Sequence, residues 1–292
     1  MNTKFSKGLL LTSLGSFWWG FIGVIYFEYV SFIGHIELVV HRCLWTAVML
    51  IFTTTFLSKW NIFFKEIKNK KKLLALLISG FLIFINWSIW IYAVASERII
   101  DASFGYFIMP IISVLLGYIF FKEELNNKRI LSICLVSISI LILIFFNLRS
   151  LPWVGLIVAF SWAFYNLVRK KIKIDTDIGL LIESLYIFPF ALVVFYFISK
   201  NGFNDFNLDN LELSLLLLLA GPMTVIPLFL YVRGVELIGL GPTGMIFYIT
   251  PTLQFILGYF YYGEDFSLVK FVSFIIIWIA VIIYINDLYE KN

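Results

Sequence analysis

Ionisable and polar groups inside long apolar runs are costly, so each one is a candidate for chemistry. In this chain they are few. Glu37, His41 and Arg42 open one apolar run, and Glu183 lies early in another. Glu37 and His41 are four residues apart and would share a helix face, with Arg42 turned roughly 100° away. Two readings stand for this trio. In one, Glu37 favours the positive end of its helix while Arg42 stretches back to the surface. In the other, the group handles a substrate or a proton. Glu183, the near-mirror of Glu37 in the second half, is either interfacial or a buried protonation site. Proton coupling would run through Glu37 or Glu183, with His41 as a helper. Asn86, Trp87, Tyr106, Tyr248 and Gln254 complete the candidate substrate-binding set. Aromatic walls with a few amides suit planar or amphipathic molecules.

Two stretches must position these groups. Ala102–Glu124 reads ASFGYFIMPIISVLLGYIFFKEE, and Thr243–Glu264 reads TGMIFYITPTLQFILGYFYYGE. Pro110 matches Pro251, Gly117 matches Gly258, Tyr118 matches Tyr259 and Glu123 matches Glu264, at one spacing. Each stretch is expected to be an apolar helix broken at its proline, freeing the carbonyl of Tyr106 in one copy and of Phe247 in the other. Pro222 and Pro227 add a second pair of helix breaks. In a bilayer such breaks are tolerated only against protein or a wet cavity, and matched breaks in two halves point to a binding site.

The 292 residues are 61% hydrophobic and 19% aromatic. Ten apolar runs fit: the first to about Phe27, then Ile36–Leu57, Leu73–Ala95, Ala102–Phe121, Ile130–Phe146, Pro152–Val168, Ile178–Ser199, Leu213–Val232, Pro242–Tyr262 and Leu268–Asp287. Little is left for a soluble domain. With the N-terminus inside, seventeen of the 22 basic residues fall in inner segments, four in outer ones, and Arg42 within a span. That bias sets both termini in the cytoplasm. The Lys59–Lys72 stretch is an ordinary positive inner loop. The net charge of +4 lies in short loops and does not argue for nucleic acid. Cys43 and Cys134 sit in apolar runs, no metal-ligand cluster is present, and no phosphate-binding glycine loop suggests an ATPase of its own.

The fold expected is an all-α membrane protein of ten helices in two five-helix repeats, residues 1–148 and 149–292. An odd number of spans per repeat turns the second upside down. Rocking of the two halves would expose a central site, lined by the first, third, fourth, sixth, eighth and ninth spans, to each side in turn.

Several segments together resemble the RarD proteins, a branch of the EamA-type group in the drug/metabolite transporter superfamily. They are Glu37–Trp45 (ELVVHRCLW), Asn86-Trp87, Ala102–Pro110, Gly221-Pro222-Met223-Thr224 with Pro227, and Tyr248–Phe255 (YITPTLQF). The resemblance implies ten helices in two inverted repeats, a bacterial cytoplasmic membrane and export or exchange of small metabolites or drugs, without a cofactor. It supports Glu37, His41, Arg42, Asn86 and Tyr106 as functional candidates. The chain departs from the family in carrying Met109 before Pro110, where an Asn is usual, and in lacking a proline after Trp19-Gly20. The rival class is a membrane-embedded enzyme using Glu37, His41 and Arg42 on a lipid-linked substrate. Against it, such enzymes gather polar residues in loops at one interface, and these loops are short and mostly lysine.

Overall fold

A computed structural model describes residues 3–95, 99–147, 153–207, 209–261 and 267–291. Among these residues every regular element is helical. In chain order they are α1 (Thr3–Phe17), a π-helical turn (Trp18–Ile22), α2 (Gly23–Tyr29), α3 (His35–Phe56), α4 (Trp60–Glu66), α5 (Lys70–Ala95), α6 (Ile99–Phe121) and α7 (Asn127–Asn147). The second half contributes α8 (Trp153–Lys171), α9 (Thr176–Lys200), α10 (Leu211–Leu218), α11 (Ala220–Ile238), α12 (Leu240–Ile246), α13 (Ile249–Phe260) and α14 (Leu268–Lys291).

Seven helices are long and apolar enough to cross a membrane: Thr3–Tyr29, His35–Phe56, Lys70–Ala93, Asn127–Phe146, Thr176–Lys200, Leu211–Ile238 and Leu268–Glu290. Gly105–Phe121 is a shorter apolar helix. The other two expected runs are helical as well. One is α8, which ends in Arg169, Lys170 and Lys171, and the other is the broken pair α12–α13. Large apolar side chains stand on the outside, among them Phe56, Phe145 and Phe260. Such a surface suits lipid and would aggregate in water. The chain is a multi-pass membrane protein.

Packing joins the two halves throughout. The α1 helix lies along α11, and α5 along α8; α6 packs on α8, and the π-turn and α1 pack on α12 and α13. Between them, α3 meets α9, α7 meets α14, and α6 meets α12. Basic residues gather at one end, where Lys59 reaches Asp177, Lys72 reaches the carbonyl of Lys173, and Lys128 reaches Glu290. We call this the lysine-rich end. The stretch Lys59–Lys72 is more than a loop, because α4 forms inside it.

The prolines behave unequally, which corrects the expectation of two broken helices. Through Pro110, α6 runs on without interruption. In the second copy the break falls at Phe247–Tyr248, ahead of Pro251, which sits in the first turn of α13. There the carbonyl freed by Pro251 is taken by the Thr250 N–H at 2.9 Å, one residue short of α-helical spacing. The hydroxyl of Tyr248 donates to the Phe107 carbonyl at 2.7 Å, bracing α6 beside Pro110. Pro222 lies just past the junction of α10 and α11 at Leu219, and Pro227 is accommodated inside α11. The expected half boundary at 148–151 and Glu264 lie outside the described residues.

One break was not expected. The turn Trp18–Ile22 is π-helical and closes with the Gly23 N–H on the Trp18 carbonyl. It brings Gly20 onto the backbone of Thr250, where a Cβ would collide with the carbonyl oxygen at 2.8 Å. Thr250 in turn donates its hydroxyl to the Ser16 carbonyl at 2.8 Å. A π-turn offsets the carbonyls of its helix, and α13 supplies a donor for one of them.

Candidate functional site

A cavity opens at the centre of the bundle, with about 50 Å³ of space for water centres. That is room for roughly three to five waters. Its walls come from the π-turn and α2, from α3, α5, α6 and α8, and from α13. The polar groups on it are Arg42, Asn86, Tyr106, Thr250 and Gln254; the rest is mostly aromatic, with Phe27, Trp87 and Trp90 on one side. Trp19, Trp162 and Phe247 form the floor toward the lysine-rich end. Tyr231 closes that floor from behind, packed on all three.

Arg42 does not reach back to the surface. It is 5% exposed and turned inward, so the snorkelling reading is corrected. Its Nε donates to Thr224 Oγ1 at 3.0 Å. Its guanidinium lies 4.8 Å from the ring centre of Phe27 and 4.7 Å from that of Trp87. Among the described residues no carboxylate comes within the 4.0 Å of an ion pair. Thr224 is presented by α11, which packs along α3.

Asn86 is held by α8. Its Nδ2 donates to the Val158 carbonyl at 3.0 Å and to Ser161 Oγ at 3.1 Å. A carbonyl can only accept, so the amide orientation is set, and Oδ1 is the atom left for the cavity.

Glu37 and His41 leave the cavity, and the trio does not converge. Glu37 is 4% exposed and accepts the backbone N–H of Asp205 at 2.8 Å. Trp45 Nε1 donates to His41 Nδ1 at 3.1 Å. An indole nitrogen can only donate, which assigns the His41 proton to Nε2, 3.4 Å from Glu37 Oε1. Phe195 and Phe206 pack on the imidazole. The pair thus pins the segment between α9 and α10 at the end remote from the lysines. Burial, and then the charge of Glu37, push the Asp205 carboxyl above the usual range, with His41 opposing.

Glu183 lies in a second, smaller chamber. It is 2% exposed, accepts Ser79 Oγ at 2.5 Å and Tyr165 OH at 3.2 Å, and is 3.5 Å from Arg169 Nη1. Arg169 Nη2 donates to the Thr176 carbonyl at 3.0 Å. Beside Glu183 is about 10 Å³ of space for water centres. That is about one water. Thr46, whose Oγ1 is buried and without a hydrogen-bond partner, lines this space, and Trp87 lines both it and the main cavity.

Below the aromatic floor, Glu123 fastens the lysine-rich end. Its Oε1 and Oε2 accept the N–H groups of Leu240 and Gly241, both at 2.8 Å, and Lys170 Nζ lies 2.5 Å from Oε1. The carboxylate belongs to the first half and all its partners to the second. Such charge-assisted bonds at a helix start are strong for their kind. Gly239, at φ 101°, makes the approach possible, because a Cβ there would be strained and would also strike the carboxylate. Lys59 adds a second tie between the halves, 2.7 Å from Asp177 and 3.6 Å from Asp175. Burial lowers the Lys59 pKa, but the two carboxylates outweigh it and hold the ammonium above the usual lysine value.

Of the candidates named from sequence, Arg42, Asn86, Trp87, Tyr106 and Gln254 meet at the cavity. Glu37, His41, Glu183 and Tyr248 do not. Arg42 brings the second span into the lining, and the eighth span contributes from behind the wall, through Thr224 and Tyr231. Thr250 and the Glu123 fastening were missed. The fastening had a trace in the sequence, a Glu directly after an apolar run, but nothing named its partner.

An all-helical, multi-pass membrane protein with a polar, aromatic-walled cavity between its halves has the build of a membrane transporter. A family model described as the EamA-like transporter family matches the chain twice, at residues 6–145 and 150–286. The chain belongs to that family. It is similar to Protein RarD of Salmonella typhi, 34% identical over 96% of this chain and 95% of that one. Protein RarD of Escherichia coli (strain K12) is 33% identical over 96% and 94%. The uncharacterized transporter YojE of Bacillus subtilis (strain 168) is 33% identical over 97% and 95%. A solved crystal structure shares the fold, with a TM-score of 0.69 at 10% identity over 96% of this chain and 97% of that one.

Proposed function

We propose that the chain is a secondary transporter that exports or exchanges small metabolites or drugs across the bacterial cytoplasmic membrane by alternating access. The observation that carries this reading is the central cavity itself. It lies where the halves meet, floored by aromatic rings and fastened below by Glu123 across the half boundary. We take residues 1–148 and 149–292 as inverted five-helix repeats, with both termini in the cytoplasm. The packing supports this. Exchanging each run with its counterpart five runs later turns α1 on α11 into α8 on α5, and α6 on α8 into α13 on the π-turn. In that topology the lysine-rich end is cytoplasmic, and the cavity in this conformation faces the other side.

The enzyme reading is disfavoured because Arg42 points away from Glu37 and His41. Of the two coupling candidates, Glu183 is the better placed, since Glu37 is engaged by a connecting segment. The solitary Thr46 hydroxyl and the space beside Glu183 suit a water that relays a proton.

The test is access. With Cys43 and Cys134 replaced, Gln254→Cys is exposed to a membrane-impermeant maleimide from each face of oriented proteoliposomes. Labelling is expected from the face opposite the lysine-rich end, with labelling from the lysine-rich face appearing on Glu123→Ala. Labelling from one face alone, whatever stands at position 123, would end the alternating-access reading.

A further inference from the structure

We infer that the cavity takes a small organic anion with a flat apolar body, its carboxylate set against Arg42; this rests on the transporter reading above and names the substrate class of the same site. A buried guanidinium needs a counter-charge or a dense set of acceptors. Arg42 has one neutral acceptor, Thr224, and two aromatic faces. Cation–π contacts do not replace a full counter-charge in a dry interior. Among the described residues none supplies that charge within ion-pair distance. Thr224 occupies Nε and sets the plane of the fork, and a carboxylate matches the remaining N–H groups in two parallel bonds. The rings of Phe27, Trp87 and Trp90 supply flat walls on the same side, and Asn86 Oδ1 offers an acceptor for a hydroxyl or amino group on the ligand. The cavity therefore asks for negative charge at one point and a planar apolar surface beside it.

The test titrates the full-length protein in detergent with benzoate, benzamide, benzylammonium and sodium chloride. Tryptophan fluorescence is the readout, because Trp19, Trp87, Trp90 and Trp162 line the cavity. Benzoate is expected to saturate, with benzamide, its neutral isostere, about ten- to hundredfold weaker. Arg42→Gln removes that preference. Arg42→Lys keeps the charge, loses the fork, and binds benzoate more weakly while still preferring it. Equal binding of benzamide or benzylammonium, or chloride alone matching the benzoate response, overturns the inference. So does an unchanged benzoate preference in Arg42→Gln. Should that variant not fold, unchanged benzoate affinity in Arg42→Lys overturns it equally. Exchange of radiolabelled para-hydroxybenzoate in proteoliposomes separates the two readings. Carboxylate binding that needs Arg42, with no exchange, removes the transporter and leaves the site. Exchange of a neutral or cationic probe alone does the reverse.

Discussion

Trp19 and Trp162 meet edge to face at the floor of the cavity, with ring centres 5.1 Å apart. They come from opposite halves and from similar surroundings in sequence, Phe17-Trp18-Trp19-Gly20-Phe21 and Phe160-Ser161-Trp162-Ala163-Phe164. The pair is one place where the two halves touch. Trp162→Ala removes a ring that also stacks on Tyr165. It should cost about 3–5 kcal/mol, and Trp162→Phe distinctly less. Denaturant unfolding in detergent measures both. A loss in Trp162→Ala no larger than in Trp153→Ala, at the half-exposed end of α8, would mean the floor is not tightly packed.

Glu123→Gln keeps the shape of the fastening and removes its charge. One amide oxygen remains to accept, so the two N–H groups of Leu240 and Gly241 compete for it. The change should weaken the closure by about 1.5–3 kcal/mol. Hydrogen exchange at those two amides is the readout, with rates rising by roughly ten- to hundredfold. Unchanged protection would show that α12 is held by other contacts.

Glu183 and Arg169 should behave as a buried pair. Removing one charge strands the other, at about 3–5 kcal/mol. Glu183→Gln and Arg169→Met are each expected to lower stability by that order, and the double variant by less than their sum. Additive losses would deny the coupling. On the functional side, Glu183→Gln should abolish pH-driven transport while Glu37→Gln leaves it intact.

Asp205 gives a pH dependence with a definite sign. Its carboxyl is raised in the folded protein, first by burial and then by Glu37. The folded state therefore favours the protonated form. That contribution is present below the ordinary Asp pKa and is lost as pH rises through the raised value. Asp205→Asn should lift the melting temperature at neutral pH, by a small amount because the group is largely exposed, and the gain should shrink on acidification. A gain that is constant across pH would assign the effect to something other than this carboxyl.

Much of this was legible in the chain. The ten apolar runs all fall on helices, and seven of those helices are long and apolar enough to cross a membrane, because bilayer thickness dictates span length and shows as unbroken hydropathy. Arg42 and Asn86 stood out because polar groups are so rare in such runs. Their directions were not legible. Glu37 and His41 share a face, as their spacing requires, but that face meets Asp205, 168 residues away. No local pattern encodes such a meeting. Proline was an incomplete guide for a related reason. A missing N–H frees a carbonyl in both copies, yet whether the helix breaks depends on neighbours. Tyr248 braces α6 at Phe107, while the second copy has Thr250 at hand to take the Phe247 carbonyl one residue early. The π-turn at Trp18–Ile22 left no signal beyond a glycine among aromatics.

In the proposed carrier, an uncompensated guanidinium in the cavity would also decide how voltage enters the cycle. A carrier holding Arg42 alone is positive at its centre when empty and neutral there when a monoanion is seated. A transmembrane potential acts on net charge, at about 2.3 kcal/mol per elementary charge per 100 mV across the full field. The loaded step would then be nearly indifferent to the potential, and the return of the empty site would feel it. Arg42 would thereby set the polarity of the membrane that speeds turnover.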